Sequence, residues 1–308
     1  MDKANIFFKI LCLISIVFFS SCSKNESPSV LSQLSKKEKK YLESFFFNLL
    51  LYDHGIYVLH GSKPISCSII RFNSEYEEIK KHFPSSYQYQ DWLKIKDRVP
   101  MTNYIITAKD IPAWNTPTMK EVYFVNVSNT LMVFLEYYDD FKKLYGKDFD
   151  PLEKIYEIQQ DKSEFWDKVL HNNYAQGLIF GYGKNNSLYF VYMNKTYEAK
   201  GKYAQNILEL PFNPYENESV LLDEGMSYQN FGLPPYRHLR NDLKLEQYKK
   251  EREKIYALYK NKKPLEVIFK QLTEKDDGTT NYFYVRINDK NHSKAKPEDF
   301  PLTTDTCK

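Results

Sequence analysis

Two β-rich runs, Tyr104–Ala108 and Glu121–Val127, stand near the middle of the chain, and from Ser128 to Tyr197 one helical stripe follows another with no further β run between them. That asymmetry constrains the fold more than any single motif. A parallel sheet needs strand and helix to alternate along the chain, because each crossover must pass over a sheet face. The alternation is missing, which argues against a doubly wound sheet. The two runs suit an antiparallel pair joined by a Pro-containing connection around Trp114, with helices packed on it. The predicted class is α+β, helix-rich with a small, mainly antiparallel sheet.

Upstream, Ser35-x-x-Glu38 is a capping box. Leu42, Phe45, Phe46, Leu49 and Leu50 recur at helical spacing, which predicts a helix over Lys36–Tyr52 stopped by Gly55. Ile56–His60 reads as a strand, Gly61-Ser62-Lys63-Pro64 as a turn and Ile65–Phe72 as a second strand. Helices are expected from Ser74 to Phe83 and around Trp92. Downstream, Leu131, Phe134, Tyr138, Phe141 and Tyr145 form a stripe that halts at Gly146. Asp150 before Pro151, Ser163 and Asn241 or Asp242 are helix starts. Tyr174–Tyr182 and Ser187–Tyr197 read as helices separated by Gly183–Asn186. A short strand is expected at Ile207–Leu210, a helix over Pro264–Leu272 and a β-like run at Tyr282–Ile287. The folded part is read as one domain over 36–275, with a candidate seam at 146–150 between two lobes and a partly disordered extension over 276–308.

The N-terminus carries its own signal. Lys3 and Lys9 precede an apolar run, Ile10–Phe19, roughly half as long as a membrane span of about 20 residues. Ser20, Ser21 and Cys22 follow, which is the order of a cleavable export signal. Here the chain resembles bacterial lipoprotein signals, with Phe19 in place of the commoner aliphatic residue. The resemblance implies that residues 1–21 are removed, that Cys22 carries diacylglycerol and an N-acyl chain (palmitate-type lipidation), and that Ser23 directs the protein to the outer rather than the inner membrane. Residues 22–35, polar and Ser-rich, read as a tether.

Composition narrows the function classes. A net charge of +3 does not call for a nucleic-acid partner, and 10 glycines are too few for a fold with several nucleotide loops. Four cysteines do not make a disulfide framework. Besides Cys22, Cys67 and Cys307 remain after processing; an exported location permits a disulfide between them, and the plainer reading is two free thiols. None of the six histidines stands at the helical spacing of a zinc pair, so no metal site and no cofactor is expected. The 26 Tyr and 21 Phe fall mostly on helical stripes, which is core behaviour, although aromatic faces also suit sugars or peptides.

Two short segments stand out. His60, Ser62 and Lys63 put a base, a hydroxyl and a cation on one turn and form the candidate binding site; the plainer reading is a surface turn fixed by Gly61 and Pro64. Gly181-Tyr182-Gly183-Lys184-Asn185-Asn186 approaches a nucleotide loop but lacks the third glycine and the hydroxyl after Lys184. It reads as a connection, with Gly183 at positive φ and Asn185 or Asn186 capping the next helix. Lys244–Lys263 reads as an amphipathic helix with a basic outer face, the sharper alternative being contact with anionic lipid. The turn at Gly61–Pro64 and the Gly177–Asn186 block resemble uncharacterised proteins of chlamydia-like bacteria over most of Leu42–Leu272. That resemblance implies no activity, cofactor or site residue. The expected function is a lipid-anchored envelope protein that binds a ligand, an envelope protein or a polymer. The alternatives are an envelope hydrolase and the substrate-binding component of a transporter.

Overall fold

The computed structural model describes residues 30–71, 85–110, 119–160, 162–200, 212–213, 225–236, 238–239 and 242–273. Cys22, Cys307 and the runs expected at Ser74–Phe83, Ile207–Leu210 and Tyr282–Ile287 lie outside the described residues. The chain divides into two units, Met1–Ser35 and Lys36–Lys308. In the first, Val30–Gln33 forms a 3-10 turn.

In the second unit α1 (Lys36–Phe47) runs into a π-helical turn over Asn48–Tyr52. The stop lies at His54, whose φ of 58° breaks the helix, and not at Gly55, which keeps helical angles. Ile56–His60 is a short helix, α2, where the sequence suggested a strand. The reason is burial on all sides. Ile56, Tyr57, Val58 and Leu59 are each 1% exposed or less, and a run without a polar face carries no periodicity to separate helix from strand.

The sheet is antiparallel, in the order β1 (Ile65–Arg71), β3 (Met119–Asn126), β2 (Tyr104–Asp110). The middle strand is buried on both faces, with Val122, Tyr123, Phe124 and Val125 at 1% exposure or less. Register puts Ile65, Val125 and Ile105 abreast on one face, beside Cys67, Tyr123 and Thr107. Helix α3 (Ser85–Ile95) brings Trp92 to stack on Phe45 of α1 at 5.5 Å.

Five helices follow β3: α4 (Val127–Glu136), α5 (Tyr138–Tyr145), α6 (Pro151–Ile158), α7 (Glu164–Leu170) and α8 (Asn173–Ile179). Four start on side-chain caps in the sequence. Asn126, Asp150, Ser163 and Asn172 accept hydrogen bonds from the amides of Asn129, Leu152, Trp166 and Ala175. Each such cap stabilises its helix by about 1 kcal/mol. Their rings fill the space over Ile65, Tyr123 and Val125: Phe134 meets Phe141, Phe149 and Phe165 edge-on, and Trp166 lies 4.1 Å from Tyr123. Phe149, between Gly146 and Asp150, is fully inside this cluster. The chain continues through α9 (Lys184–Lys200), the two-residue strands β4 (Phe212–Asn213) and β5 (His238–Leu239), α10 (Leu243–Tyr259) and α11 (Pro264–Thr273). Asp242 caps α10, and Leu245, Tyr248, Ile255 and Tyr259 form its buried stripe. The fold is α+β, dominated by helix. No helix among the described residues is long and apolar enough to cross a membrane.

Candidate functional site

The turn after α2 is not a surface feature. Lys63 is 3% exposed, and Pro64 is buried beside it. Its three candidate side chains bond to different partners. His60 shares a 2.8 Å hydrogen bond between Nε2 and the Tyr259 hydroxyl at the end of α10. Burial pushes its imidazole down to about 4, against a side-chain bond to Gln271 that favours the charged form. Ser62 donates its backbone N–H to Glu251, and its hydroxyl accepts from Lys244 Nζ at 3.2 Å. Lys63 donates to the Phe180 carbonyl at 2.6 Å, with its ammonium 4.8 Å from the Tyr182 ring centre and 5.7 Å from that of Phe180. Burial, and after it the charge of Lys244, lowers the Lys63 pKa to about 7.

Lys63 therefore reaches the second segment singled out in the sequence. That segment differs from expectation in its bounds. Helix α8 ends at Ile179 and α9 begins at Lys184, so the connection is Phe180–Gly183. Gly181 and Gly183 both have positive φ, at 80° and 79°. Asn185 and Asn186 lie inside α9 and cap nothing. Asn186 instead donates its amide back to the Tyr182 carbonyl and to Asp242, both at 2.8 Å. The two glycines differ in surroundings. A Cβ on Gly181 would stand 2.5 Å from the Tyr248 hydroxyl and 2.8 Å from Pro64 Cδ, whereas one on Gly183 would meet nothing within 4 Å. The Tyr248 hydroxyl donates to the Gly181 carbonyl at 2.9 Å. The turn and the connection thus lock together around Lys63. Lys184, the cation of the apparent nucleotide loop, pairs with Asp140 at 3.1 Å.

A cleft of about 430 Å³ opens on the outer side of this junction, a size usual for small-molecule sites. Its apolar lining is the rings of Phe180, Tyr182, Phe190 and Tyr236, with Pro235. Tyr182 lies nearly parallel to Tyr236 (18°, 4.8 Å) and to Phe180 (21°, 6.2 Å). Tyr236 is held by a hydrogen bond from its hydroxyl to Asp242 at 3.0 Å. The polar lining is amide and hydroxyl: Asn173, Gln176, Asn186, Asn194 and Ser187. Asn186 and Ser187 are engaged within the protein, but the amides of Asn173, Gln176 and Asn194 make no hydrogen bond among the described residues. Among the described residues no carboxylate, imidazole, thiol or amine belongs to the lining. A second hollow, about 460 Å³, is lined by Glu136, Asp139, Asp140, Lys143 and Lys184, and there Asp140 already serves Tyr174 and Lys184.

Tyr182 and Asn186 lie in the segment the sequence singled out; Asn173, Phe190, Asn194 and Tyr236 do not. A signal did exist. Asn186, Phe190 and Asn194 recur every fourth residue on α9, so they share one face, but an amide-bearing face reads as a solvated one. Among the described residues no group of three or more His, Cys, Asp or Glu side chains is arranged to hold a metal. Cys67 is half-buried in β1, and burial raises its thiol pKa. Comparison with known proteins finds no match: no protein-family model, curated relative or solved structure is significantly similar to the chain.

Proposed function

We propose that this chain is a lipid-anchored envelope protein, held to the membrane through Cys22 and more suited to the outer than the inner membrane, whose folded part binds a small uncharged ligand or a short stretch of an envelope polymer. The cleft between α8, α9 and Pro235–Tyr236 carries the reading. It combines flat apolar rings with unused amides, and such a mixture fixes a ligand by contact area and orients it by hydrogen bonds. Among the described residues its lining is rings, amides and the Ser187 hydroxyl, which is committed to the Gly183 carbonyl, and a surface of that kind suits binding.

Two measurements test the two halves. Mass spectrometry of the mature N-terminus should find acylated Cys22 with residues 1–21 absent; an unmodified Cys22 removes the anchor. Hydrogen exchange of the full chain, with and without a soluble digest of envelope polymers, should show added protection at 173–194 and 235–236. Unchanged exchange there would remove the binding reading.

A further inference from the structure

We infer that the ligand of the cleft is a neutral saccharide. The inference rests on the binding reading above and names its chemistry. Sugar rings present two kinds of surface. Their C–H faces are flat and apolar, and their rims carry hydroxyls that both donate and accept. The cleft answers both. Tyr182 stacks on both Phe180 and Tyr236, so this group offers its edges and outer faces, and Phe190, 38% exposed, adds a more open ring from α9. Aromatic faces of this kind cover apolar patches without demanding a matching charge. Asn173, Gln176 and Asn194 each offer an N–H donor pair and a carbonyl acceptor on one side chain, uncommitted among the described residues. A carboxamide therefore serves a hydroxyl in either sense.

Among the described residues the remaining features weigh against competitors. Phosphates and carboxylates would seek a cation, and the nearby Lys63 ammonium is turned inward to the Phe180 carbonyl. Lys184 is paired with Asp140. An extended peptide joining a sheet needs an open strand edge, and the lining comes from α8, α9 and residues 235–236. A proline-rich peptide could use the rings, but its backbone offers few donors, which leaves the amide carbonyls unanswered.

The test is saturation-transfer NMR of the full chain with maltotriose, cellotriose and chitotriose, and with a deca-proline peptide as the competing class. At least one trisaccharide should bind, with transfer concentrated on its ring C–H protons. Phe190→Ala, Gln176→Ala and Asn194→Ala should each weaken that binding about fivefold or more while the melting temperature stays at the wild-type value. Phe190 is exposed, and Gln176 and Asn194 are half-buried with no side-chain hydrogen bond among the described residues, so these variants keep the fold where a change at Tyr182 would disturb the Lys63 contact. Failure of all three sugars, or sugar binding indifferent to the variants, overturns the inference. Deca-proline binding that depends on Phe190, without sugar binding, overturns it too but leaves the cleft a binding site. Unchanged hydrogen exchange with the envelope digest, together with no sugar binding, removes both readings.

Discussion

The ring-filled face of the sheet and the junction around Lys63 are both buried, yet they are held by different forces. Over Ile65, Tyr123 and Val125 the contacts are rings against rings, and shape and area do the stabilising. At the junction the partners are polar and far apart in the chain. Lys63 meets Phe180 across 117 positions, and Tyr248 meets Gly181 across 67. The first region tolerates a change of pH between about 5 and 8, because burial pushes the titrations of its central Cys67 thiol and Tyr123 hydroxyl further up. The second holds a lysine, an imidazole and several carbonyls out of water, so its stability depends on protonation.

The largest effect belongs to the ring cluster. Phe134→Ala should cost about 3–5 kcal/mol, because the residue is fully buried and its three edge-on partners cannot close the gap. Urea unfolding should show the same loss at pH 5 and pH 8; a loss confined to one pH would erase the contrast drawn above. Gly181→Ala comes next, at about 3 kcal/mol or more, since positive φ and overpacking add. Tyr248→Phe in the same chain should recover part of it by removing the oxygen that the new methyl strikes. No recovery would show that backbone strain alone is responsible.

The third effect depends on pH. His60 has a folded pKa of about 4, below its ordinary 6.5, so between those values the unfolded chain binds the extra proton. Its contribution is present above pH 6.5 and falls away toward pH 4, by roughly 3 kcal/mol. Half-buried Asp53, raised to about 6 by desolvation, works in the opposite direction, and half-buried His54, lowered to about 3, works with His60. A His60→Gln chain should lose one proton's worth of the acid slope and keep its stability at pH 7 nearly unchanged. An unaltered slope would place His60 outside the pH response. The smallest effect is Gly183→Ala, about 1 kcal/mol, from positive φ without a clash. A loss equal to that of Gly181→Ala would mean that crowding at Gly181 contributes little.

Local signals in the sequence led to correct structure. The caps at Asp150, Ser163 and Asp242 are read from single residues and their neighbours, and β2 and β3 announce themselves by β-branched and aromatic content. Where burial is complete, the pattern fails. Ile56–Leu59 has no polar side to mark a period, so the strand reading was as consistent with the sequence as the helix. The junction was illegible for another reason. Lys63 and Gly181 each look like ordinary turn residues, and only the tertiary fold brings Pro64 against Gly181. The cleft was half visible: Tyr182 and Asn186 lie in a segment read as a connection between two helices, while Tyr236 reaches it from a distant part of the chain.

The strand order β1-β3-β2 also dictates how the molecule must be built during synthesis. The first two strands to leave the ribosome never pair with each other; both pair with the third. Until residues 119–126 emerge, β1 and β2 lack the partner that both share, and the three-stranded sheet cannot form. The β2–β3 pairing is the nearer one in sequence and pays the smaller loop-closure cost. Strand β1, with its unsatisfied backbone edge, must then be held apart from other chains until that pair has formed.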